Sequence, residues 1–251
     1  MSEVLGYVLL FSFITLSVTS VFVLGTTHVE HVRDTDQKEH AAQAFETLAD
    51  AIDDHFEQHA AVRSTELRTD GGELSFETEE TVHLEVVPTS DVERNRSPAV
   101  VVPSYSTNHT TSVVYTSTSG STVVYSHGAV FREESGHSRM IREPTAQFGD
   151  ERVVFPVVAT TSDGPIATSN AHISQVRTER LSSETVSETE SGYDLRITLQ
   201  TTEARAEAWH TYFETRNGLA CEAVEGHTIA CTASDLEAVT LAYVVVETSF
   251  E

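Results

Sequence analysis

Twelve histidines in a chain of 251 residues are the first place to look for chemistry. His55 and His59 stand four apart, so a helix would set them on one face; His28 and His31 are spaced by three. Neither pair sits in an H-E-x-x-H frame, and no third ligand follows at a metal-binding spacing. Asp34-x-Asp36 lacks the glycine and the terminal glutamate of a calcium loop. The histidines are therefore read as solvated, and no metal is expected. Nucleophile elbows, P-loops and dinucleotide glycine patterns are missing as well. The pairs Glu79-Glu80 and Glu133-Glu134 read as ordinary solvated charge in an acidic chain. The expectation is a protein that is not an enzyme and carries no cofactor.

Two other features bear on chemistry. Cys221 and Cys231 lie close together in a chain with no further cysteine, and not at a zinc-finger or C-x-x-C spacing. They read either as one local disulfide, which would imply an extracytoplasmic domain, or as two buried thiols. Of two N-x-S/T sequons, Asn95-Arg96-Ser97 is followed by Pro98, so Asn108 is the better glycosylation candidate on an exported domain.

The charge balance excludes one class of partner. Fifteen basic residues, of which only Lys38 is a lysine, stand against 39 acidic ones, for a net charge of −24. Nucleic acid needs a basic patch, and none exists. Such one-sided charge is tolerated best where salt shortens the Debye length to about 3 Å, at 1 M. Acid excess, scarcity of lysine and abundant Thr and Val point together to a halophilic protein, with an acidic surface kept for solubility as the plainer alternative.

The elements that must carry these residues fall into three stretches. Val4 to Leu24 is apolar, and the run from Val4 to Thr27 carries no charge. As a helix this is about 31 Å, enough to cross a hydrocarbon core. Ser12, Thr15, Thr19 and Ser20 fall roughly on one stripe of it, suited to close helix approach or to bonding with their own backbone. No Pro or Gly occurs from Thr26 to Asp70, and Ala41, Ala44/Phe45, Leu48, Ala51/Ile52, Phe56 and Val62 recur at helical spacing opposite an acidic face. After Asp70-Gly71-Gly72 the pattern turns to strands. Alternation marks Val82–Val86 and Tyr193–Leu199, and Ser112–Tyr125 predicts a hairpin around Ser119-Gly120. Val153–Val158 predicts a strand that Pro156 pushes to an edge or bulge, and Ala238–Val246 a central buried strand. Thr202 predicts the cap of one helix that ends at Asn217-Gly218, with Trp209, Tyr212 and Phe213 on its packed face.

The apolar N-terminal run admits a cleaved signal peptide, a single-pass anchor, or a third reading. Ser2-Glu3-Val4-Leu5-Gly6 followed by an apolar helix resembles the N-terminus of haloarchaeal type IV pilin-like proteins. Pro156-Val157-Val158, the A-x-x-W-x-x-Y-F pattern from Ala206 to Phe213, and the cysteine pair extend the resemblance to an uncharacterised haloarchaeal family with pilin-like N-termini. The resemblance implies that Ser2, Glu3, Val4, Leu5 and Gly6 form a processing motif cut by a prepilin peptidase. It also implies a basic leader, expected in frame upstream of Met1. It further implies that Glu3 pairs with the N-terminal amine of a neighbouring subunit; a favourable position at a helix N-terminus is the other account of Glu3.

The fold class expected is α+β. A long N-terminal helix, transmembrane in its first half and amphipathic in its second, leads into an antiparallel β-rich head, sandwich-like, with one packed helix. The boundaries expected are 1–27 for the apolar helix, 28–68 for the stalk helix and 69–251 for an extracellular head. The function expected is a pilin-like structural or assembly subunit at the surface of a halophilic archaeon. Its partners would be the membrane and other pilin-like subunits. The alternative is a single-pass anchored binding protein that never assembles.

Overall fold

The computed structural model describes residues 2–68, 72–78, 80–89, 100–101, 110–163, 167–169, 173–188, 192–222 and 226–250, with the side chains of the first helix described over 6–20 and 37–57. Helix α1 (Ser2–Glu57) comes first. Strands β1 (Val62–Arg68), β2 (Glu73–Glu77), β3 (Thr81–Pro88), β4 (Val100–Val101), β5 (Ser112–Thr116), β6 (Thr122–Ser126), β7 (Ala129–Glu134) and β8 (His137–Arg142) follow. Next are β9 (Gln147–Phe148), β10 (Arg152–Ser162), β11 (Ala167–Ser169), β12 (Ile173–Glu188) and β13 (Tyr193–Gln200). Helix α2 (Glu203–Glu214) precedes β14 (Leu219–Cys221), β15 (Thr228–Leu236) and β16 (Ala238–Phe250).

These strands form three sheets, ordered β1-β12-β16-β10-β9, β11-β2-β5-β6-β7-β8 and β14-β15-β13-β3-β4. The six-stranded sheet lies between two apolar cores. Successive strand residues point to opposite faces, so Val114, Val124 and Phe131 enter the core beneath α2 with Trp209, Phe213, Leu195 and Ile197. Val113, Tyr115, Val123, Tyr125 and Val130 enter the other, against Phe45, Leu48 and Ile52 of α1. A sheet dry on both faces needs continuous apolar runs, which is what T-S-V-V-Y and T-V-V-Y supply.

The expected fold class is overturned. The chain is mostly β, with sixteen strands and two helices among the described residues. No helix among those residues is long and apolar enough to cross a membrane. The head is not purely antiparallel either: β10 runs parallel to β16, from Arg152↔Ala238 to Ser162↔Thr248. Both are nearly unbroken apolar runs, as a strand covered on both faces requires.

The stalk helix also ends earlier than position 68. Helix α1 stops at Glu57, and Val62–Arg68 pairs antiparallel with β12. The stop is His59, at φ 56°, a left-handed residue doing the work usually given to glycine. The N–H groups of Gln58 and Ala60 both return to the Asp54 carbonyl, at 3.0 and 3.2 Å.

Elsewhere the local signals place their elements. Gly120 takes φ 83° in the β5–β6 turn. Thr202 caps α2, accepting from the Arg205 N–H. Strand β9 pairs only Val153 and Val154, so the missing N–H of Pro156 falls beyond its reach.

Candidate assembly surface

From Tyr7 to Val18, α1 carries nine large apolar side chains, each more than half exposed. At 100° per residue they lie on every side of the helix: Tyr7, Phe11, Ile14 and Val18 on one flank, Leu9, Phe13 and Leu16 on the opposite one. A helix that is apolar all round belongs in a dry environment. Its hydroxyls already suit one. Thr15 donates to the Phe11 carbonyl, Ser17 to that of Phe13 and Thr19 to that of Thr15, each at 2.8 Å. These groups therefore do not call for water.

The other half of α1 is fixed to the β body. Phe45, Leu48, Ala49 and Ile52 are fully buried, against Leu67 of β1, Tyr115 of β5, Tyr125 of β6 and Val244 of β16. Polar contacts flank this stripe. Lys38 Nζ lies 2.7 Å from Glu134, Arg132 lies 3.1 Å from Glu39, and Arg63 lies 3.0 Å from Asp54. Arg142 reaches Asp53 at 2.7 Å and Asp50 at 2.9 Å, and donates to the Glu46 carbonyl. Burial, only partly offset by Arg142, pushes the Asp53 carboxyl up to about 6.

His55 closes the seam. It is buried, contrary to the solvated reading of its spacing. Its Nδ1 faces the Ala60 carbonyl at 2.8 Å and must donate there, so Nε2 accepts from the Thr178 hydroxyl at 2.8 Å. Burial lowers its pKa, which suits this neutral tautomer. Arg180 donates to the His55 carbonyl at 3.2 Å, placing a cation at the negative end of the helix.

A second polar cluster holds the body together. Arg205, at the start of α2, is 2% exposed and meets three carboxylates: Glu80 at 2.7 Å, Glu133 at 2.6 Å and Glu77 at 2.9 Å. Glu80 also accepts from Thr201 at 2.6 Å and from the Ser126 hydroxyl. Burial pushes the Glu80 carboxyl up, but Arg205 and these hydroxyls outweigh it and hold Glu80 below its usual value. Burial alone would lower the Arg205 pKa, and the carboxylates raise it instead. Glu80 and Glu133 are thus not the solvated charge expected of them: their partner stands more than 70 residues away in sequence.

A groove of about 450 Å³ runs between β8 and α2, lined by His137, Arg139, Met140, Glu143, Glu207 and Tyr212 among others. The Arg216 guanidinium sits 4.3 Å over the Tyr212 ring, beside Glu143.

The other residues singled out in the sequence fall as follows. Ser2, Glu3, Val4 and Leu5 lie in the first turns of α1, and their side chains are outside the described residues. Gly6 is helical, and a Cβ there would meet nothing within 4 Å, so packing within one chain does not demand a glycine. Cys221 and Cys231 form a disulfide between directly opposed positions of β14 and β15. Asn108 lies outside the described residues. Among the described residues no three His, Cys, Asp or Glu side chains converge on a metal position.

The chain belongs to a family of unknown function, DUF7289, whose sequence profile matches residues 1–250. No curated protein and no solved structure matches it.

Proposed function

We propose that this member of a family of unknown function is a pilin-like structural subunit at the surface of a halophilic archaeon, assembling through the N-terminal half of α1. The observation that carries the proposal is the helix whose large apolar side chains are exposed on every side from Tyr7 to Val18, continuous with a half clamped to the body. One groove cannot cover such a surface; several neighbouring helices can. Burying a large apolar side chain contributes about 1.5–3 kcal/mol, so nine contribute roughly 14–27 kcal/mol per copy at full burial, before ordering costs. The disulfide suits an oxidising compartment outside the cell. The net charge of −24 keeps the β body soluble in concentrated salt.

The test is Phe11→Glu in the full chain, compared with wild type in material sheared from cells and by electron microscopy. Wild type is expected in the sheared fraction as ordered assemblies, with N-terminal sequencing giving the start of the assembled chain. The variant is expected to stay unassembled with its disulfide formed. A wild-type chain that stays with the membranes after shearing and forms no ordered oligomer would overturn the proposal. So would assembly of the variant at wild-type level.

A further inference from the structure

Strand β12 is sixteen residues long, but β1 covers its outer side only from Ile173 to Glu179. Its inner side stays paired with β16 as far as Glu188. Among the described residues nothing pairs with the outer side from Ser182 to Glu188, so that stretch presents a row of backbone donors and acceptors, a template for another strand. A second observation falls at the same place. Apart from the N-terminal helix, Val62 (42%) and Leu181 (54%) are the large apolar residues exposed among those described. Both sit where β1 stops: Val62 pairs with Glu179, and Leu181 marks the bulge between Arg180 and Ser182.

We infer that this free edge pairs, antiparallel, with the same edge of a second copy, with Thr185 on the two-fold axis. The contact goes beyond the helix-borne assembly and stands without it. Along a strand, outward-facing and inward-facing backbone groups alternate, so in a symmetric antiparallel pair the axis must pass through a residue. An axis through Glu184 sets two glutamates directly opposite each other. An axis through Val186 opposes Glu184 to Glu188 twice. An axis through Thr185 opposes Ser182 to Glu188, Ser183 to Ser187 and Glu184 to Val186. It thus engages all seven edge residues with no carboxylate facing another. The two bodies are strongly acidic, so the pairing strengthens as salt rises.

The test uses the full chain in mild detergent at about 1 M salt. The native cysteines are joined to each other, so an introduced thiol is the free one. Thr185→Cys places two thiols across the axis and is expected to give a disulfide-linked dimer on gentle oxidation. Ser183→Cys lies roughly 14 Å from its symmetry mate and is expected to cross-link at least about tenfold more slowly. Thr185→Arg puts like charges on the axis and is expected to sediment as a monomer, and mixing it with Thr185→Glu is expected to restore the dimer. Equal cross-linking of the two cysteine variants, or an unchanged mass for Thr185→Arg, would overturn the inference. Repeating the cross-linking in the Phe11→Glu chain separates the two contacts, because the edge dimer is expected to survive loss of helix assembly.

Discussion

Replacing Arg205 by methionine tests whether the buried cluster under α2 is an ionic lock or a set of incidental contacts. The change keeps the aliphatic length and removes the guanidinium from Glu80, which is 1% exposed and has the buried His127 ring, its Nε2 3.9 Å away, as a weaker neighbour. Stranding one member of a buried ion pair costs about 3–5 kcal/mol. The Thr201 and Ser126 hydroxyls remain as donors to Glu80, which favours the lower end. The assay is equilibrium urea unfolding followed by Trp209 fluorescence, since Trp209 stacks on Phe213 in the core below α2. Three signatures are expected together. The loss persists at about 1 M salt, because a buried pair is screened far less than an exposed one. It shrinks when Glu80→Gln is added. It also shrinks in acid, by the following sign. In the wild type the Glu80 pKa is lowered, so its contribution is present above the ordinary value of 4.5 and is lost as the pH falls through the folded value. Without Arg205, burial raises the Glu80 pKa instead, and stability returns as the pH falls through it. A cost below about 1 kcal/mol, or one unchanged by Glu80→Gln, would refute the lock.

Two further perturbations act on the seam. The Asp53 pKa is raised from 3.8 to about 6, so its contribution to stability is full below 3.8 and is lost as the pH rises through 6. Between about pH 5 and pH 8, Asp53→Asn is therefore expected to gain roughly 1–2 kcal/mol relative to wild type in urea unfolding, and a flat difference would contradict this. His59→Gly relieves a left-handed residue and is expected to raise stability by about 0.5–1 kcal/mol in the same assay, with His59→Val moving it the other way.

Where a short stretch of sequence carries its own physical reason, the structure follows it. Val82, Leu84 and Val86 alternate inward on β3, and Leu195, Ile197 and Leu199 do the same on its neighbour β13. Thr202 caps α2 because its side-chain oxygen reaches the Arg205 N–H. What the sequence hides is set by distant partners. Nothing near Glu80 tells it from the other acids of E-T-E-E; only the fold brings Arg205, 125 residues on, against it. The stop at His59 was equally hidden. Histidine is among the few non-glycine residues enriched at left-handed φ, so a helix can end at His59 with no Gly or Pro to mark it. The parallel pairing of β10 with β16 was invisible because it joins segments with most of the third sheet between them.

The candidate surface was legible in a different sense. The apolar run announces a helix that must be dry, but its residues do not say what dries it, and length alone suggested lipid. The scarce basic residues are more informative. Lys38, Arg63, Arg132, Arg142 and Arg180, five of the fifteen in the chain, lie on the seam between α1 and the body. In a chain of net charge −24, a cation placed at one acid is withheld from many others. Exposed pairs such as Lys38–Glu134 contribute little and fade further in salt. Arg142, whose side chain is 18% exposed, and buried His55 are better shielded and keep their partners there. The seam is thus most secure toward the C-terminal end of α1, where the helix meets β1 and β12. A force on the apolar end would be carried through the rod of α1 and delivered into the sheet that holds the free β12 edge.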